Sequence, residues 1–342
     1  MAKRKITQLD LFSGIGGFHL GFERAGYEVE SYFSEIDKHA VAVYKHRFKN
    51  STYVGSVTDV RGEELPRIDL ITFGSPCQDF SLAGKRKGLS GDRSGLITEA
   101  IRLIRECRPS VFIWENVKGS FSSNDGEDFA AILQEFTNIG GYRLEWQLLN
   151  TSWVLPQNRE RVYLVGYSTT PGGDWRGVFP IGSESKKNNR IKGHNLRANT
   201  ICAKNGTNGA YISEGQQPTQ EIKVKSATSK EAVVEPTICR GGLQKNAAHF
   251  EEKSPALTSA MGMGGGHTPI VDQPNYRIRR LTPIECERLQ GFPDNHTEYG
   301  NYDGEVKKMS NTQRYKQCGN AVTVDIVALV AEAVKPLLNR TV

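Results

Sequence analysis

The chain opens on a strand, a glycine turn and a helix in immediate succession. Ile6 to Phe12 reads as a strand. Ser13-Gly14-Ile15-Gly16-Gly17 breaks it, and Phe18 to Ala25 then place apolar residues at helical spacing until Gly26 stops the helix. This order is the opening unit of an α/β sheet that binds its ligand beyond the strand ends. Glycines at the turn let a ligand approach the backbone, and the helix start offers free N–H groups. The segments that follow keep the alternation. Glu28 to Phe33, Tyr53 to Val57, Asp69 to Phe73 and Ser110 to Trp114 read as strands, with helices over 37–48, 94–107 and 126–139. Two further strands, Tyr142 to Leu149 and Arg161 to Tyr167, flank Pro156-Gln157-Asn158-Arg159-Glu160-Arg161.

Reactive residue types stand at the ends of these strands. Glu35 ends the second, about 20 residues after the glycine turn, where an acid can bond ribose hydroxyls. Cys77 follows the fourth on a Gly74-Ser75-Pro76 turn, and Glu115 follows the fifth. A thiol so placed is a candidate nucleophile, although a free Cys more often serves as a small buried hydrophobe. The loop after Cys77 is rich in Gly, Lys and Arg; Lys85, Arg86, Lys87 and Arg93 make it attractive to phosphate.

Composition narrows the classes. A net charge of +6 leans mildly towards a polyanionic partner. The six Cys include no CxxC pair, so neither a zinc ribbon nor a disulfide framework is expected, and spread thiols fit a reducing cytoplasm. The basic N-terminus lacks an apolar core and predicts no secretory leader. No run reaches the length of a membrane span. A nicotinamide oxidoreductase fails on spacing, because Gly14-Ile15-Gly16-Gly17 is not GxGxxG.

Six ordered segments, DLFSGIGGFHLGFERAG, GSPCQDFS, ENV, QNRERVYLVG, RRLTPIECERLQGFP and QCGNAV, together resemble the cytosine-5 DNA methyltransferases of bacterial or phage type. They cover residues 7–166 and 277 to about 335. The resemblance implies a Rossmann-like, S-adenosylmethionine-dependent methyltransferase sheet with a small, loop-rich target-recognition domain. It implies methyl transfer to carbon 5 of a cytosine flipped out of duplex DNA. Cys77 matches the nucleophile that adds to carbon 6. Glu115 matches the acid that holds the ring nitrogen 3 edge and amino group. Arg161 matches the arginine on the base carbonyl, and Arg159 a neighbour directed towards the DNA backbone and the nucleophile loop. Both arginines have the plainer alternative of a surface ion pair with Glu160. For the cofactor, S-adenosylmethionine with no metal, the matching positions are Phe12, Gly14, Gly16, Gly17, Glu35, Ile36, Ser56, Val57, Pro76, Asn320 and Ala321. The family often has Asp where this chain has Ser56, which bonds the adenine amino group more weakly than a carboxylate. By resemblance Gln78, Ser81, Lys85 and Arg86 bind DNA, the last three on the 81–93 loop that would close over the flipped base. A tRNA methyltransferase of similar core usually carries a Cys-Phe-Thr triplet, which does not occur here. A catalytically dead homologue would lack the nucleophile or the acid.

From Tyr167 the texture changes. Fourteen of the 35 Gly fall within 167–276, helical periodicity is faint, and positive charge accumulates, which reads as a separate loop-rich unit. Asn199-Thr200-Ile201-Cys202, Pro236-Thr237-Ile238-Cys239 and Pro255-Ala256-Leu257-Thr258 read as three similar hairpin-like units. Arg240 and Gln244 are of the types that read base edges. His194, His249 and His267 read as surface residues. Thr282-Pro283-Ile284-Glu285 predicts a capped helix start, and Gln317 to Val322 the opening of a last helix running to about Leu338. The expected organisation is a discontinuous catalytic domain, 1–166 with 310–342, and a recognition domain, 167–309, including an organising helix within 277–292. The expected partners are duplex DNA and, acting separately, a cognate restriction endonuclease, unless the enzyme is an orphan or phage one. A cytoplasmic monomer that touches no membrane is expected.

Overall fold

The computed structural model describes residues 3–74, 95–121, 126–168, 177–182, 199–203, 210–213, 239–240, 253–263, 270–271 and 279–338. Strands β1 (Arg4–Leu11), β2 (Tyr27–Ser34), β3 (Thr52–Tyr53), β4 (Leu70–Gly74) and β5 (Val111–Val117) form the parallel part of a nine-stranded sheet. Four antiparallel strands extend it: β6 (Tyr142–Asn150), β8 (Glu160–Ser168), β9 (Asn199–Ala203) and β10 (Ala210–Ser213), with β7 (Gln157–Asn158) lying outside it. The order is β10-β9-β6-β8-β5-β4-β1-β2-β3. The winding reverses at β1, which pairs with β2 on one side and β4 on the other, so a crevice opens beyond the carboxyl ends of these strands.

Alternation along the central strands builds two cores. Phe73, Phe112 and Trp114 pack with α3 (Gly95–Cys107) and α4 (Glu127–Thr137) on one face. Leu70, Val111 and Ile113 pack on the other face with α1 (Gly17–Arg24) and α7 (Val324–Ala333). Strands buried on both faces explain the near-continuous apolar runs. Helix α2 (Lys38–Arg47) follows β2, with Asp37 as its N-cap.

The expected third strand shortens to β3. Gly55, at φ +83°, turns the chain out of the sheet, and Ser34 Oγ donates to its carbonyl at 2.9 Å. Ser56 and Val57 therefore leave the sheet and line the crevice.

The last helix divides into α6 (Asn311–Asn320), α7 and α8 (Lys335–Leu338). Ser310 caps α6, so the QCGN motif closes a helix instead of opening one. Ala321 is extended, and the Arg159 guanidinium takes the carbonyls of Gly319 and Ala321. Thr323 bonds Thr151 and Gln290 before α7 begins. Helix α7 returns onto α1, where Val327 fills the space left by Gly21.

The three proposed hairpin units part company. Strand β9 pairs with β10 as a hairpin, but it also pairs with β6 and so joins the main sheet. Strand β11 (Cys239–Arg240) pairs with β13 (Ile270–Val271), which pairs with β14 (Arg279–Arg280). Strand β12 (Ser254–Pro255) is parallel to β7. Helix α5 (Pro283–Leu289) has the predicted capping box, with Thr282 Oγ1 accepting from Glu285 N. Beyond it, Phe292 and Met309 share a core with Ile15, Ala40 and Val43, and Arg47 Nε donates to His296 O at 2.6 Å. A short hairpin, β15 (Tyr299–Tyr302) with β16 (Glu305–Lys308), packs Gly300 against Ala42 of α2. No helix among the described residues is long and apolar enough to cross a membrane.

Candidate active site

The carboxyl ends of β1, β2, β4 and β5 open into one cavity of about 660 Å³. Its wall includes Phe12, Gly14, Gly17, Glu35, Ile36, Ser56, Val57, Glu115, Arg159, Arg161, Asn320 and Ala321, which the sequence scatters over more than 300 positions. Phe12, at φ +51°, and Gly14, at φ +53°, carry the chain out of β1 through left-handed backbone. A Cβ on Gly14 would meet nothing within 4 Å, so the turn leaves open space. Glu35 braces the turn. Its Oε2 accepts from Gly14 N at 2.9 Å, and its Oε1 from Ile36 N and Asp37 N at 2.8 and 2.9 Å. Ile36 is 80% exposed, an apolar side chain left bare at the cavity edge.

At Gly16, whose φ is +83°, a Cβ would overlap the Phe48 ring. Gly17 lines the cavity and also makes room for Val322.

Glu115 and Arg161 form the second half of the site. Glu115 pairs in register with Gly74 at the end of β4, and its carboxylate lies beside that residue. Arg161 sits two residues from Tyr163, the partner of Glu115 on β8. Its Nε lies 3.2 Å from Glu115 Oε1, and its Nη1 donates to the Glu160 carbonyl. Burial pushes the Glu115 carboxyl above the usual range, against the opposing charges of Arg161 and Arg159. Its Oε1 is buried without a hydrogen-bond partner among the described residues. The surface ion pair with Glu160 does not form with either arginine, since Glu160 pairs with Lys118.

Arg159 is 4% exposed, and its guanidinium donates to the carbonyls of Leu257, Gly319 and Ala321. It thereby holds the 257–259 segment against the end of α6 at the cavity wall; the nucleophile loop it was also expected to approach lies outside the described residues. The same junction explains Gly319, where a Cβ would overlap the Thr258–Ser259 backbone. Leu257, Thr258, Ser259, Lys316 and Gln317 complete the cavity wall and were not foreseen. The spacing of Lys316 and Gln317 from Asn320 on one helix would have indicated them. Cys77, Pro76, Gln78, Ser81, Lys85, Arg86 and Gln244, like His194, His249 and His267, lie outside the described residues. Arg240 lies in β11. No group of three His, Cys, Asp or Glu among the described residues is arranged to hold a metal ion.

Beneath the glycine turn lies a buried polar chain. Thr72 Oγ1 donates to Asp10 Oδ1 at 2.8 Å, and Gln8 Nε2 donates to Thr72 Oγ1 at 2.7 Å. Tyr44 donates to Asp10 Oδ2, and His19 Nδ1 lies 3.0 Å from Ser31 Oγ. Burial, opposed by the Thr72 and Tyr44 hydrogen bonds, pushes Asp10 up to about 8. The folded state thus binds a proton that an unfolded Asp releases near 3.9. That contribution to stability is complete below about pH 4 and is lost as pH rises towards 8. Asp10→Asn is expected to flatten the fall in melting temperature between pH 5 and pH 8. Parallel slopes for variant and wild type would contradict this.

Fold and cavity define an α/β enzyme of the Rossmann-like type, with a ligand cradle next to a buried acid–arginine pair. The model of the family "C-5 cytosine-specific DNA methylase" matches residues 6–336. A Type II methyltransferase, M.Bsp6I of Bacillus sp. strain RFL6, is 31% identical over 94% of this chain and 96% of its own. The orphan methyltransferase M.SPRI of Bacillus phage SPR is 28% identical over 98% of this chain and 99% of its own. Among solved structures, the S. pombe Dnmt2 methyltransferase superposes with a TM-score of 0.63 at 18% identity, covering 97% of this chain and 99% of its own. The chain belongs to the C-5 cytosine-specific DNA methylases, which use S-adenosylmethionine as methyl donor and DNA as substrate.

Proposed function

We propose that the chain methylates a cytosine within a specific duplex sequence through a covalent Cys77 adduct at carbon 6. The observation that carries this reading is the Glu115 Oε1 acceptor. It is buried, ion-paired with Arg161 Nε at 3.2 Å but without a hydrogen-bond donor among the described residues, and lies at the end of the strand neighbouring the one that leads to Cys77. A buried acceptor in this state calls for a donor from a ligand.

Carbon 5 of cytosine is a poor nucleophile. Addition of the Cys77 thiolate to carbon 6 makes the ring enamine-like. The raised Glu115 carboxyl shares a proton with ring nitrogen 3 as charge builds there. Arg161 holds the base carbonyl and keeps Glu115 oriented. When bound, S-adenosylmethionine supplies an electrophilic methyl sulfonium. Loss of the carbon 5 proton to water, with the shared proton returning from ring nitrogen 3 to Glu115, then expels the thiolate from carbon 6. The open space at Gly14, the bare Ile36 side chain and the acidic Glu35 fit a methyl donor with an adenosine end. Phe12, Ser56, Val57, Asn320 and Ala321 would complete its seat.

The enzyme would act as a cytoplasmic monomer, either beside a cognate endonuclease or as an orphan. Residues 167–309 would form the recognition domain, with Arg240 reading a base. Arg240→Ala should relax one position of the site by about 1–3 kcal/mol, read by methylation of single-base site variants. A uniform loss would make Arg240 a phosphate contact. Bisulfite sequencing of DNA from cells expressing the chain tests the whole reading. Protected cytosines confined to one motif are expected. Their absence, with the protein present and folded, would refute it.

A further inference from the structure

Lys118 stands at the rim of the candidate site, outside the cavity wall. It begins a 3-10 turn, Lys118–Phe121, directly after β5, and Ser120 Oγ closes that turn on the Val117 carbonyl at 2.8 Å. Val117 lines the cavity, and Lys118 follows Glu115 by three residues, so at most ~11 Å of chain separates them. Its Nζ lies 2.8 Å from Glu160 Oε2, and the two side chains are 59% and 37% exposed. An ion pair that exposed contributes little to stability. Nor does the fold need it, because the backbone ladder already joins β5 to β8 as far as Val117 and Arg161. Arg159 and Arg161 are engaged inwards, the first with the carbonyls of Leu257 and Ala321, the second with Glu115. Lys118 is a cation beside the acid–arginine pair that stays open to a partner from solvent.

Resting on the duplex-methylation reading above, we propose that Lys118 binds a DNA phosphate flanking the flipped cytosine. A base that swings out stays joined to its backbone. With the ring held by Glu115 and Arg161, the phosphates on either side of it come to the rim. Glu160 alone would repel them, and Lys118 neutralises it. An ammonium has three donors, and Glu160 takes one. The carboxylate keeps the ammonium in place, and the remaining donors serve the phosphate. Glu160 also offers its backbone carbonyl to Arg161 Nη1, so one residue ties the arginine that holds the base to the lysine that holds the phosphate.

The test uses the full chain with S-adenosylhomocysteine and a duplex carrying the motif that bisulfite sequencing returns. Motif-confined methylation by the wild-type chain secures the reading it rests on, before any variant is made. Replacing one of the two phosphates that flank the target cytosine by a neutral methylphosphonate is expected to weaken wild-type binding about tenfold. Lys118→Gln should cost about the same on the natural duplex and add nothing on the modified one, because both changes remove one contact. The slope of its log K against log salt should be shallower by about 0.9. Lys118→Arg, which keeps the charge, should restore the slope. The melting temperature and the affinity for S-adenosylhomocysteine should stay at wild-type values, which a merely structural lysine would not allow. Additive losses at both flanking phosphates, an unchanged salt slope, or a lower melting temperature with weaker S-adenosylhomocysteine binding would each overturn the proposal and leave the methylation reading standing.

Discussion

Cys77→Ser is expected to reduce methyl transfer to background while cofactor binding persists. A serine hydroxyl is nearly isosteric with the thiol but remains protonated near neutral pH, whereas a thiol supplies a usable fraction of thiolate. The defect should therefore appear in kcat. The measurement is tritium transfer from labelled S-adenosylmethionine to a cognate duplex, with S-adenosylhomocysteine binding as the control for folding. Turnover close to wild type would remove Cys77 from the mechanism. Loss of cofactor binding together with activity would point to a collapsed site instead.

Glu115→Gln is the second large effect. Removing a positioned acid or base typically costs ~10²–10⁴-fold in rate. The amide keeps the shape and still faces Arg161, but it cannot share a proton with ring nitrogen 3. Burial has raised the carboxyl, so the protonated form is populated to higher pH than for an ordinary Glu. A rate within about threefold of wild type at saturating DNA would contradict the assignment. Because Glu115 and Arg161 lie 3.2 Å apart, Arg161→Ala is expected to be strongly non-additive with it.

Strands β4 and β5 were legible as apolar runs and β1 from the glycine turn that ends it, whereas β3 was read too long because Gly55 turns the chain out of the sheet. The capped start of α5 was legible because a capping box is local chemistry. The break between α6 and α7 was not, because it depends on Arg159, which grips Gly319 and Ala321 from 160 residues away. Gly16 and Gly17 show the same limit. Both stand in a glycine turn, yet Gly16 is required by the Phe48 ring, a contact that no local pattern reveals. The repeat in the insert was real as text and misleading as structure. Where described, the segments pair differently: β9 with β10 and β6, β11 with β13, and β12 with β7, because strand pairing is decided by what lies opposite. Glu35 and Glu115, singled out at strand ends, and Arg161, singled out by resemblance, all line the cavity.

The covalent step is tested most directly by a duplex carrying 5-fluorocytosine at the target position. Fluorine at carbon 5 cannot leave as a proton does, so the adduct formed after methyl transfer cannot break down. In the presence of S-adenosylmethionine the wild-type chain should form a denaturant-stable one-to-one complex with the duplex, and peptide mass analysis should place the link on Cys77. Absence of the complex while the unsubstituted duplex is methylated, or a link to any other residue, would contradict a Cys77 adduct as the route of transfer.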